Sequence, residues 1–161
     1  MSIIVNSTPL ISLAIIHQLD LLQKIFNDVY IPLTVYNEVI VNGKGKAGHA
    51  ELSMINWLQV VVPVNAPLKQ SIMLQLDEGE ADVITIAKDK DISLVCIDEF
   101  AGRQYASLLG LDVIGTLGIL LIAKKKGIIP LLKPLCDKLI LNERYISSGL
   151  YNEVLIKAGE G

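Results

Sequence analysis

Short apolar runs alternate with longer amphipathic stretches along the whole chain. Ile3-Ile4-Val5, Val29-Tyr30-Ile31, Leu58 to Val62, Leu94 to Ile97 and Leu111 to Ile114 are short, apolar and bounded by polar residues or Pro, and they predict strands. Between them, apolar positions recur at helical spacing in Leu10 to Ile16, Leu19 to Phe26, Ala50 to Trp57, Leu68 to Leu76 and Phe100 to Leu109, the last stopped by Gly110. Pro32 stands where the first position of a third helix is expected, with Val35, Tyr36, Val39 and Ile40 as its apolar stripe and Glu38 beside it. Glu80 to Ala87 predicts a helix opened by Glu80. Leu117 to Lys126, a run from Pro130 to about Leu141, and a run capped by Ser147 and reaching Lys157 complete the set. Asn6-Ser7-Thr8-Pro9 has the residue types of a helix cap and first turn, and Gly43 to Gly48 predicts a mobile basic loop.

Strands alternating with helices predict an α/β fold with a mainly parallel sheet covered on both faces. At 161 residues and 52% hydrophobic content, one domain spanning 1–161 is expected. Mean hydropathy is high at +0.50, yet no apolar run approaches the ~20 residues that cross a bilayer. Ile119 to Ala123, for example, is closed by Lys124, Lys125 and Lys126, a set that suits a helix C-terminus. With no signal-peptide pattern at the N-terminus, a cytoplasmic protein without membrane association is expected. Cys96 and Cys136 form no ligand or redox spacing and are expected to be buried small hydrophobes. A net charge of -3 gives no global basic footprint, so nucleic-acid binding would rest on a local patch.

Ligands of such sheets bind beyond the carboxyl ends of the strands, where this chain offers Asn6, Asp98, Glu99 and Thr116. A right-handed connection from the Glu80 helix into the Leu94 strand brings Glu80 to the same edge as Asp98. With Glu38 on the third helix, the candidates form a carboxylate cluster without interleaved Lys or Arg. Two carboxylates ~4 Å apart repel by about 4 kcal/mol at an effective dielectric near 20, so the cluster needs protons or a cation. Hard oxygen donors without His or Cys favour Mg²⁺ or Mn²⁺, which could activate water and steady the leaving oxygen of a phosphodiester.

Each residue has a structural alternative. Asp98 could be a turn former, Glu80 a carboxylate favoured by the helix dipole in company with Glu78 and Asp82, Glu38 an exposed helical Glu, and Asn6 a cap. Arg103 could pair with Glu99 one turn away or touch phosphate. His17 and His49 lack ligand spacing, and the Lys44 to Lys46 loop offers only a phosphate contact.

The order of these features resembles the PIN domain, the metal-dependent ribonuclease fold of VapC-type toxins: an apolar strand then Asn6-Ser7-Thr8, Glu38 on an early helix, Glu80 ahead of Asp98, and strand-Asp98-Glu99-Phe100. The resemblance covers nearly the whole chain and is closest to a PIN-like branch with a Gly-Glu-Ala signature, Gly79-Glu80-Ala81, and a Gly-Thr-Leu-Gly turn, Gly115 to Gly118. It implies a three-layer α/β/α sandwich, Mg²⁺ or Mn²⁺, RNA cleavage and often a cognate antitoxin, and it allows a homodimer. Glu38, Glu80 and Asp98 become the expected metal ligands, with Asn6 as a neutral fourth contributor. The family's Asp after the first strand is Asn6 here, one negative charge fewer. That departure supports an alternative, a weakened PIN-like module that binds RNA or a protein partner without cleaving. A receiver-like phospho-acceptor domain would need an acidic pair and a Lys where Asn6 and Thr116 stand.

Overall fold

The apolar runs all enter one sheet in the computed structural model, which describes residues 1–161. β1 (Ser2–Val5), β2 (Asp28–Pro32), β3 (Gln59–Val61), β4 (Leu94–Cys96) and β5 (Asp112–Ile114) pair in parallel in the order β3-β2-β1-β4-β5. Ile3, Val5, Leu94 and Cys96 join one buried cluster, while Ile4, Val95 and Ile97 join another. Successive side chains of a strand point to opposite faces. A strand between two cores must therefore be apolar at every position, which is why these segments read as unbroken runs.

The larger core is closed by α1 (Ser7–Ile15), α2 (Asp20–Ile25), α3 (Leu33–Tyr36), α4 (His49–Met54), α8 (Thr116–Lys125), α9 (Lys133–Leu141) and α10 (Ser148–Lys157). The smaller one is closed by α5 (Ala66–Ile72), α6 (Glu78–Lys90) and α7 (Phe100–Leu108). The result is a three-layer α/β/α fold. Each fully buried Leu or Ile of these clusters contributes about 1.5–3 kcal/mol of transfer free energy, so the two-sided sheet is the main source of cohesion. Cys96 and Cys136 are free thiols buried in the larger cluster. No helix is long and apolar enough to cross a membrane.

Several element boundaries differ from the sequence reading, among them the ends of α4 and α5, which stop at Met54 and Ile72 rather than at Trp57 and Leu76. Glu80 does not open α6: Asp77 is the N-cap, and its Oδ1 accepts the Glu80 backbone N–H at 2.8 Å. Pro32 ends β2 and occupies the N-cap of a short α3, which passes directly into a π-helical segment, Asn37–Val41, that carries Glu38. Pro130 lies before α9, which starts at Lys133 with Pro134 in its first turn. There the N–H groups of Leu132 and Lys133 donate to Glu160, which also pairs with Lys124 at 3.0 Å. A cap supplied from 28 residues away leaves no local signature.

Candidate functional site

The strand order reverses between β1 and β4, the topological switch point at which open parallel sheets leave a crevice beyond their carboxyl ends. Asn6 follows β1 directly, and Asp98 stands two residues past β4. The Asn6 N–H donates to the Cys96 carbonyl at 3.0 Å, extending the ladder to the rim of the crevice. Its side chain is buried at the N-cap position of α1 but makes no capping bond. The amide Oδ1 instead faces the first turn of α6, 3.5 Å from where a side chain on Gly79 would begin.

The middle of α6 is buried all round, from Glu80 to Ala87. Its polar residues therefore need partners, because an unpaired buried polar atom is costly and one that carries charge more so. Thr85 Oγ1 donates to the Ala81 carbonyl at 2.8 Å. Asp82 accepts from Thr34 Oγ1 at 2.8 Å and pairs with Lys69 Nζ at 2.8 Å, a cation it shares with Glu78. Glu80 differs: it is only 6% exposed, its Oε2, like Asp82 Oδ1, accepts no hydrogen bond, and unlike Asp82 it has no cation paired with it. Burial, then the charges of Asp77 and Glu99, push its carboxyl up to about 7. Gly102 on α7 is the reason this oxygen fits, since a Cβ there would overlap it.

Asp98 is held from the opposite side. Its Oδ1 accepts the Thr116 N–H at 2.7 Å and its Oδ2 accepts the Thr116 hydroxyl at 2.7 Å, so it faces the N-terminus of α8. Burial raises its carboxyl, Thr116 lowers it, and of the flanking charges Glu99 raises it while Arg103 lowers it, leaving it above the ordinary Asp value. Arg103 does not pair with Glu99, one of the two roles the sequence leaves open for it. Its Nη1 donates to the Ile97 carbonyl at 2.9 Å, and a Cβ on Gly115 would lie 2.6 Å from Asp98 Oδ1 and 3.0 Å from Arg103 Nη1. Glu99 is exposed, accepts the Thr8 hydroxyl at 2.7 Å, and its charge reaches both Glu80 and Asp98.

At this edge the Asn6 amide faces the first turn of α6, which carries Glu80, Asp98 meets Thr116 and Arg103, and the charge of Glu99 reaches both Glu80 and Asp98. Glu38 is exposed on the π segment, about one helical turn beyond Val35, whose side chain lies near Gly79. No three His, Cys, Asp or Glu side chains are grouped as a ready metal cage. Sequence reasoning missed Asp77, although Asp77-x-x-Glu80 has capping-box spacing. The sequence singles out Glu80 over Asp82 but gives no reason for the difference, because the Lys69 that pairs with Asp82 and the Thr34 that bonds it are brought there only by the fold.

A family model described as a PIN domain matches residues 2–160. The chain belongs to the PIN-domain family. No curated protein matches it closely enough to count as a relative. A PIN domain is a nuclease-type fold that generally uses divalent metals, and the donors of this one suit such an ion. They are carboxylate, amide and hydroxyl oxygens, and one of them, Glu80 Oε2, is buried without a proton donor.

Proposed function

We propose that this PIN domain is a divalent-metal-dependent endoribonuclease of VapC type, the toxin component of a toxin-antitoxin pair. The observation that carries the reading is the contrast within α6: the Asp82 charge is matched by Lys69 at 2.8 Å, whereas buried Glu80 has no cation beside it and faces the charges of Asp77 and Glu99 with an oxygen that accepts no hydrogen bond. A carboxylate in that position requires a proton or a cation. Glu80 and Asp98 would hold Mg²⁺ or Mn²⁺, with the Asn6 amide oxygen as a neutral contributor and Glu38 adding charge from the margin. Two carboxylates, with waters completing the shell, are enough for Mg²⁺, which dehydrates reluctantly. The ion would supply charge neutralisation at the scissile phosphate and a more acidic bound water.

The chain's own groups have separable tasks. Thr116 fixes both oxygens of Asp98, each of which keeps a further lone pair for an ion or its water. Arg103, anchored on the Ile97 carbonyl, offers its other N–H groups to a phosphate oxygen. Thr8 orients Glu99 at the exposed mouth, where a carboxylate can accept a proton from attacking water. Asn6 favours one other reading, a module that binds RNA or a protein partner without cleaving, because the site lacks a charge that hard cations use.

Incubating purified protein with a labelled RNA and Mn²⁺ separates the two. Cleavage that disappears in EDTA and falls at least ~100-fold in Asp98→Asn is expected. Intact RNA under all conditions, with binding retained, would leave only the non-cleaving module.

A further inference from the structure

The chain contains only two arginines, Arg103 and Arg144. Neither forms an ion pair, whereas Lys24, Lys69, Lys124, Lys133 and Lys157 all do. Both line cavities that Asp98 also lines. Arg103 shares a cavity of about 440 Å³ with Asp98 and Gly115, and Arg144 lines a second cavity of about 260 Å³ with Thr8, Asp98, Thr116 and Tyr145. Asp98 is thus the wall between two depressions, each with one unpaired guanidinium. Unpaired guanidinium groups on either side of a carboxylate crevice suit a chain of phosphates passing across it.

Tyr145 supplies the second observation. It is 91% exposed, and no other tyrosine of the chain is classed as exposed. An aromatic ring left almost wholly in water, in the same cavity as a candidate catalytic carboxylate, has the character of a stacking platform. The segment that presents it is pinned at both ends. Glu143 adopts a left-handed conformation (φ 63°) and the Arg144 N–H returns to the Leu139 carbonyl at 2.9 Å, closing α9; Ser147 Oγ accepts from Leu150 N–H at 3.1 Å, opening α10. Arg144 and Tyr145 are therefore held on a short bridge between two packed helices.

We propose that this bridge is a nucleotide subsite next to Asp98, in which Tyr145 stacks on an unpaired base and Arg144 takes the adjoining phosphate. The inference rests on the nuclease reading above and adds a strand requirement to it: a base inside a duplex cannot reach the Tyr145 face, so the ligand is single-stranded. Glu143 lines the same cavity and opposes phosphate, which limits affinity.

The test is fluorescence anisotropy of the full chain with a labelled, unstructured 12-nucleotide RNA in EDTA, so that the strand stays intact. Tyr145→Ala is expected to weaken binding by roughly 5- to 100-fold, and Tyr145→Phe to retain it. Arg144→Ala should weaken binding and lower the slope of log affinity against log salt by about 0.7, the value for one phosphate on a single strand. Glu143→Gln should tighten binding. A duplex of the same sequence should compete poorly. Wild-type binding that Tyr145→Ala and Arg144→Ala leave unchanged overturns the subsite alone, and would fit a Tyr145 that docks a partner protein. A wild-type protein that binds no RNA in EDTA overturns the subsite as well, whereas the nuclease reading stands or falls with the Mn²⁺ cleavage assay above.

Discussion

Glu80 has the most telling environment of any single residue. Its folded carboxyl stands near 7 against an ordinary value of 4.5, raised first by burial and then by Asp77 and Glu99. Between those two pH values the folded, metal-free protein holds a proton that the unfolded chain has lost. Stability must therefore fall as pH rises through this window, by on the order of 3 kcal/mol, with Asp98 adding in the same direction. Urea denaturation in EDTA at pH 5 and pH 8 should show the drop in wild type and much less of it in Glu80→Gln. Equal pH dependence in the two proteins would mean that Glu80 is not the group under stress. Glu80 and Asp98 were legible in the sequence because one opens on a helix start and the other ends an apolar run. That Glu80 rather than Asp82 is left without a partner was not legible, since it depends on Lys69 and Thr34 arriving from other elements.

The elements meet with little space to spare around these carboxylates. α7 approaches α6 closely at Gly102, where a Cβ would overlap Glu80 Oε2 and also lie 3.0 Å from Ile97 Cγ2. Gly102→Ala should displace the Glu80 carboxylate and cost about 1–3 kcal/mol by overpacking, with Mn²⁺ affinity reduced in proportion. An unchanged melting temperature would show that Glu80 has room to move. On the far side, α9 depends on Glu160, which accepts from Leu132 and Lys133 and pairs with Lys124. Burial raises this carboxyl, but the bonds outweigh it and hold it below the ordinary value of 4.5, so its stabilising effect is present above that pH and lost as pH falls through the lowered value. Glu160→Gln should cost about 1–3 kcal/mol at pH 7 and little once the wild-type carboxyl is protonated, as thermal melts would register. Element types were readable from apolar periodicity, whereas their ends were not. The proline signal for α9 occurs twice, at Pro130 and Pro134, and no local motif marks the π segment after α3.

For the molecule as a whole, the sheet explains why so much was visible beforehand. Strands buried on both faces must be apolar throughout, and a mainly parallel sheet places every functional side chain at one edge. Asn6 and Asp98 follow adjacent strands at that edge, and the first turn of α6, which carries Glu80, faces the Asn6 amide, while Glu38 is exposed on the π segment. The same geometry places Asn6 where its neutrality matters, against the acidic first turn of α6 that carries Asp77 and Glu80. Restoring a charge there should raise repulsion without metal and deepen the well for a cation with it. Titration calorimetry with Mn²⁺ on wild type, Asn6→Asp and Asp98→Asn, paired with metal-free melting temperatures, tests this directly. Asn6→Asp is predicted to bind Mn²⁺ roughly tenfold more tightly or better, to melt at a lower temperature without metal, and to cleave RNA faster, and Asp98→Asn to lose Mn²⁺ binding. Equal Mn²⁺ affinity in all three proteins would contradict the account, because the acidic crevice would then not be a metal site.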